Sequence, residues 1–199
     1  MSNLDIHQII SDYLYDLKDK INIYNLDRYH QNYIFIYDLL NINSKYIKKL
    51  TQSVIKQPKF QNIIKLNAKN NLNIFNVNHL SKLTELDCSR SEITQDGICN
   101  LKNLLKLNIM GNYDILNLNH LEKLTDLNCG GYCGITQNGI KNLKNILILN
   151  MIGNITITNI SHMTKLELLY CKHSLINKNV TVYLPNIKII NESDDLIYF

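Results

Sequence analysis

"HLSKLTELDC" (79–88) returns as "HLEKLTDLNC" (120–129) and more loosely as "HMTKLELLYC" (162–171), spaced 41 and then 42 residues apart. Self-similarity at a fixed spacing marks a repeat architecture. Between the copies sit "NLKNLLKLNI" (100–109) and "NLKNILILNM" (142–151), with "KFQNIIKLNA" (59–68) ahead and "YLPNIKIIN" (183–191) behind. Their leading apolar residues are Phe60, Leu80, Leu101, Leu121, Leu143, Met163 and Leu184, 20 to 22 positions apart. Each unit continues with apolar residues three and six places on, as in Leu80, Leu83 and Leu86. Ala68, Cys88, Ile109, Cys129, Met151 and Cys171 follow two further along. The chain therefore writes LxxLxxLxL seven times, the last incompletely.

In "TELDC" the alternation puts Leu86 and Cys88 on one side and Glu85, Asp87 and Ser89 on the other, which is the period of a strand. One short strand per unit cannot bury its apolar side alone, whereas stacked units bury a continuous core between them. The expected fold is an α/β solenoid, a horseshoe of about seven turns with a parallel concave sheet over residues 59–191. Asn71, Asn112 and Asn154 stand three residues past the inward position in the odd-numbered turns, and Ser91 and Ser174 hold that place in two others. Side chains there are expected to bond the backbone of adjacent turns, where a bend would otherwise strand buried amides. Tyr132 interrupts the column beside one extra residue, so a bulged loop is expected.

This pattern resembles the leucine-rich repeat family over 59–191. "EITQDGICNL" (92–101) and "GITQNGIKNL" (134–143) further resemble the cysteine-containing repeats of F-box proteins, with Ser91 and Tyr132 where that subclass carries Cys. Repeats of this length also resemble shorter bacterial, internalin-like types. Residues 1–58 differ in kind: "LDIHQIISDYLYDL" (4–17) sets Ile6, Ile9, Ile10, Tyr13 and Leu14 at helical spacing. The order of features down to "LDRYHQNYI" resembles the F-box, although the usual Leu-Pro opening reads Leu4-Asp5. That resemblance implies a substrate-recognition adaptor of a cullin ubiquitin ligase, with Leu4, Ile6, Ile9, Ile10 and Leu14 docking a Skp1-type subunit. The other reading of these helices is a cap shielding the first turn's apolar edge.

Hydrophobic residues make up 45% and charged ones 19%, a globular composition. A net charge of +4 without a dense basic cluster does not point to nucleic acid. No apolar run approaches the ~20 residues of a membrane span, and "MSNLDIHQ" is not a signal peptide. A cytosolic protein is expected. The richness in Asn, Ile, Lys and Tyr suggests an AT-rich genome and resembles proteins of large DNA viruses, for which the host cytosol would be the place.

No metal, cofactor or catalytic site is expected. Cys88, Cys129 and Cys171 share one inward phase, as His79, His120 and His162 share another. Alternate turns lie about 10 Å apart, too far for a disulfide or a shared metal. Nothing spells a phosphate loop, a nucleophile elbow or a Cys/His pair.

A protein partner is expected on the concave face. Its first column runs Lys65, Glu85, Lys106, Asp126, Ile148, Leu168, whose first four members should pair as a charge ladder. The second is Asn67, Asp87, Asn108, Asn128, Asn150, Tyr170, Asn191, nearly all amide and able to chain to itself. The third includes Met110 and Ile152. Met110, Ile148, Asn150, Ile152, Leu168 and Tyr170 are the expected partner contacts, with Tyr170 and Leu168 as anchors. The alternative is that the tail 192–199 folds back over them.

Overall fold

The computed structural model describes residues 38–39, 47, 50–176, 183–184 and 187–190. Leu4, Ile6, Ile9, Ile10 and Leu14, with the helices expected around them, lie outside the described residues. So does the tail 192–199.

Eight strands form one sheet in sequence order. They are β1 (Asp38–Leu39), β2 (Lys65–Asn67), β3 (Glu85–Asp87), β4 (Lys106–Asn108), β5 (Asp126–Asn128), β6 (Ile148–Asn150), β7 (Leu168–Tyr170) and β8 (Lys188–Ile190). Every neighbouring pair is parallel, with Leu66, Leu86, Leu107, Leu127, Leu149 and Leu169 in register. Seven strands come from the seven sequence units. β1 adds one more inside 1–58, a stretch expected to be helical, by pairing with the edge of β2. Parallel pairing of consecutive strands requires a crossover each time, which here is one turn of the coil.

The LxxLxxLxL positions are the core. All seven leading residues, Phe60 through Leu184, are buried, and so are Ile63, Leu83, Leu104, Leu124, Ile146 and Leu166. Two further columns, beginning Ile74, Ile93, Ile115 and Val77, Ile98, Leu118, close the core on the side away from the sheet.

Strands β2 to β7 each stop because the chain turns left-handed three residues later. Asn70, Arg90, Gly111, Gly131, Gly153 and His173 all carry φ between 49° and 69°. Glycine adopts this conformation freely, whereas an L side chain costs roughly 1–2 kcal/mol there.

Side chains then bind turn to turn, and two kinds of turn alternate. Turns leaving β2, β4 and β6 carry a buried Asn. Nδ2 of Asn71 donates back to the carbonyls of Ile47 and Leu50, while its Oδ1 accepts from Asn73 N and Ile74 N at 2.8 and 2.9 Å. Asn112 does the same with Ser91 O, Ile93 O, Asp114 N and Ile115 N. Asn154 repeats it with Cys129 O, Thr156 N and Ile157 N.

The intervening turns carry a Gln that reaches forward. Oε1 of Gln52, Gln95 and Gln137 accepts two backbone N–H groups from the next turn, at 75–76, 116–117 and 158–159. Their Nε2 atoms donate to Asn76 O, Asn117 O and Asn159 O. Two more links join the same turns. His79, His120 and His162 donate from Nε2 to Ile55, Ile98 and Ile140 carbonyls at 2.9–3.1 Å. Lys82, Lys123 and Lys165 donate to Asn62, Asn103 and Asn145 Oδ1 at 2.7–2.8 Å. A glutamine turn and the asparagine turn after it thus form a couplet, written three times. The 41–42-residue echo is the length of that couplet.

Candidate functional site

The concave face is three columns wide. In the first, Lys65 Nζ meets Glu85 at 3.0 Å, and neither Glu85 and Lys106 nor Lys106 and Asp126 form such a pair. The charge ladder expected over four strands therefore does not form. Asp126 turns instead to the hydroxyl of Thr125, 2.6 Å away, because its side chain is one methylene shorter than that of Glu85.

The second column also differs from expectation. Oδ1 of Asn67, Asp87, Asn108, Asn128 and Asn150 each accepts the backbone N–H two residues on, at 2.9–3.1 Å. These are five consecutive Asx turns closing the strand ends. One side-chain bond runs between rungs, from Asn108 Nδ2 to Asp87 Oδ2 at 3.3 Å. A carboxamide beside a bend finds its own backbone before it finds a neighbour about 4.8 Å away. Burial pushes the Asp87 carboxyl above its ordinary range, against the lowering effect of the bonds from Ser89.

Asn150 and Tyr170 belong to this column and are enclosed, at 6% and 3% exposure. Alternation places them on the concave face, with Tyr170 in register between Asn150 and Ile190. A middle column is walled by its two neighbours and by the strands on either side, so pointing outward is not being displayed. An open Tyr170 anchor is not what the structure presents. Met110, Ile148, Ile152 and Leu168 lie on the outer columns and are half-buried. Ile148 and Leu168 are side by side in register, with Ile152 past the end of β6. Met110 stands two strands away across Gly130, where a Cβ would come within 3.0 Å of Ile152 O.

Most of the reactive side chains are engaged in structure, while Cys99 is exposed. Cys88, Cys129 and Cys171 are core residues, and burial pushes all three thiols up. Cys133 extends the turn column past the bulge. Its Sγ donates to Cys129 O at 3.0 Å, the bond that Ser91 Oγ makes to Cys88 O and Ser174 Oγ to Cys171 O. The column that Tyr132 seemed to break is continued one residue later, and the displaced Tyr132 is exposed beside a left-handed Gly131. Among the described residues no three His, Cys, Asp or Glu gather as a metal site.

Sequence reasoning missed the flank beside the concave face. Leu72, Phe75, Tyr113, Leu116 and Ile155 are all more than half exposed there. Leu72, Tyr113 and Ile155 each directly follow the buried Asn of their turn, so the two-turn phase was the available signal.

No family model matches the chain, and no curated protein does. Solved structures do. Internalin F of Listeria monocytogenes is similar at 23% identity and a TM-score of 0.55, over 66% of this chain and 42% of its own. Internalin C2 of the same organism gives 20% and 0.56, over 78% and 66%. A leucine-rich-repeat protein of Leptospira interrogans gives 20% and 0.54, over 66% and 38%. The fold is a leucine-rich-repeat solenoid. The chain spans at most 66% of the length of these three solved chains. Among the described residues, no helix is long and apolar enough to cross a membrane.

Proposed function

We propose that this protein is a protein–protein interaction module that receives its partner on the concave sheet, at the end where β6 and β7 lie. The observation that carries this is the change in the outer columns. Lys65, Glu85 and Lys106 give way to adjoining, half-exposed Ile148 and Leu168, with Ile152 beside them. Apolar side chains on an otherwise polar face favour protein contact. Asn150 and Tyr170 underlie that contact as a floor, and Met110 forms a separate outlying point. The reading is binding and not catalysis, since Cys88, Cys129 and Cys171 are packed in the core and Cys133 and the in-phase imidazoles bond backbone carbonyls. A peptide library selected against the wild type tests it. Selected peptides should bind an Ile148→Asp, Leu168→Asp double variant at least about tenfold more weakly. Equal binding by the folded variant would sink the concave reading.

The finer reading, a cytosolic adaptor of F-box type (in the host cytosol for a viral protein), rests on the sequence of residues 1–50. In it Leu4, Ile6, Ile9, Ile10 and Leu14 dock a Skp1-type subunit of a cullin ubiquitin ligase. Titration of that subunit against wild type and an Ile9→Asp, Ile10→Asp variant decides. Micromolar binding lost in a folded variant supports the adaptor. No binding, with the variant unfolding, makes the segment a cap.

A further inference from the structure

The exposed flank carries an inference separate from the concave reading. Its apolar members in the asparagine turns are Leu72 with Phe75, then Tyr113 with Leu116, then Ile155, each more than half exposed, and Leu175 after Ser174 continues them past β7. They are held in place by close backbone packing. A Cβ on Gly134 would run into Tyr113 O and lie 2.9 Å from Leu116 Cδ2, and one on Gly97 would run into Phe75 O. The glycines of the glutamine turns thus let the backbone come up against the apolar side chains of the turn before.

Two further features say what would cover this ridge. The first is spacing: successive apolar pairs sit two strands apart, about 9.6 Å. Seven residues of α-helix advance about 10.5 Å, so a helix laid along the solenoid axis presents one apolar group per pair. The second is charge. Residues 72–76, 92–97, 113–117, 132–139 and 155–159 hold Glu92, Asp96 and Asp114 and no Lys or Arg, in a chain with 21 Lys and Arg. All three acidic residues are exposed, and none is in an ion pair among the described residues. Glu92 and Asp96 belong to the turn between the first two apolar pairs, and Asp114 adjoins Tyr113.

We infer that this flank docks an amphipathic α-helix of a partner protein, apolar at seven-residue intervals and edged with Lys or Arg. The probe is a lactam-stapled 21-residue peptide with Leu at those intervals and Lys along both edges, labelled with fluorescein. A composition-matched scrambled isomer accompanies it. The wild type should bind the ordered peptide at ~10 µM or tighter and the scrambled one at least tenfold more weakly. Tyr113→Ser with Leu116→Ser should weaken the ordered peptide at least tenfold. Glu92→Gln, Asp96→Asn and Asp114→Asn together should weaken it severalfold and flatten its salt dependence. The concave variant Ile148→Asp should bind as the wild type does, which separates the two surfaces. If the Tyr113, Leu116 variant loses its fold by circular dichroism, Leu72→Ser with Phe75→Ser replaces it. The inference is overturned by absence of binding to 100 µM, by equal binding of the scrambled peptide, or by loss in Ile148→Asp alone. It is equally overturned if sedimentation shows wild-type dimers that the Tyr113→Ser variant dissolves, because a second copy then covers the ridge.

Discussion

The glutamine turns and the asparagine turns share one core pattern, yet they hold the solenoid by opposite means. An asparagine turn keeps its amide inside, at 0–2% exposure, and bonds backward and to itself. A glutamine turn keeps its amide near the surface and bonds forward. The asparagine turn also bears the exposed apolar ridge, while the glutamine turn bears two of the ridge's three carboxylates, Glu92 and Asp96. Two equivalent strands can therefore belong to chemically different surfaces. The strand and its core residues repeat every turn, but the bonds between turns and the surface repeat every two.

The difference predicts unequal sensitivity. Asn112→Leu should be the most damaging change, costing about 4 kcal/mol, since it leaves Asp114 N, Ile115 N and at least one carbonyl buried without partners. Ser91→Ala, at the equivalent place in a glutamine turn, should cost only about 1 kcal/mol. Urea denaturation of both variants measures the gap, and equal costs would dissolve the distinction. Gln95→Ala should cost about 1–2 kcal/mol, because its bonds lie where water can replace part of what is lost.

Smaller effects sharpen the picture. Arg90→Gly should stabilise by about 0.5 kcal/mol, the relief of a left-handed side chain partly offset by glycine's freedom when unfolded. A shift of the urea midpoint to higher concentration checks it. Asp87→Asn should also stabilise at neutral pH. Burial raises the folded-state pKa of Asp87, so the wild type gives up stability as pH rises through that value and regains it in acid. The advantage of the variant should accordingly shrink as pH falls through the carboxylate range. A constant difference between pH 3 and 7 would show that burial of the charge is not the cause.

Much of this was legible in the sequence because apolar periodicity reports burial directly. LxxLxxLxL became the core over the first six units, whereas in the seventh Ile187 is half-buried and Ile189, not Ile190, is in register with Leu169. Asn71, Asn112 and Asn154 bond adjacent turns as their place after the inward column implied. What escaped had physical causes. Cys133 was hidden because one inserted residue shifted it out of phase with Ser91. Tyr170 and Asn150 were expected to be displayed because alternation gives direction but not enclosure by neighbouring columns. The charge ladder stops after Lys65 and Glu85, beyond which Asp126 bonds Thr125 and not Lys106. The flank was overlooked because its residues lie outside any strand, where period-two reasoning has nothing to count.

The couplet is tested most directly by deletion. Removing residues 89–129 joins Cys88 to Gly130 and keeps every Gln, Asn, His and Lys link in phase. Removing only 89–109 joins Cys88 to Met110 and sets two asparagine turns side by side. Urea denaturation of both proteins is the measurement. The shorter protein, lacking 89–129, should unfold cooperatively at the higher urea concentration. A single-turn deletion that proved equally or more stable would contradict the account, and the unit of this solenoid would then be one turn after all.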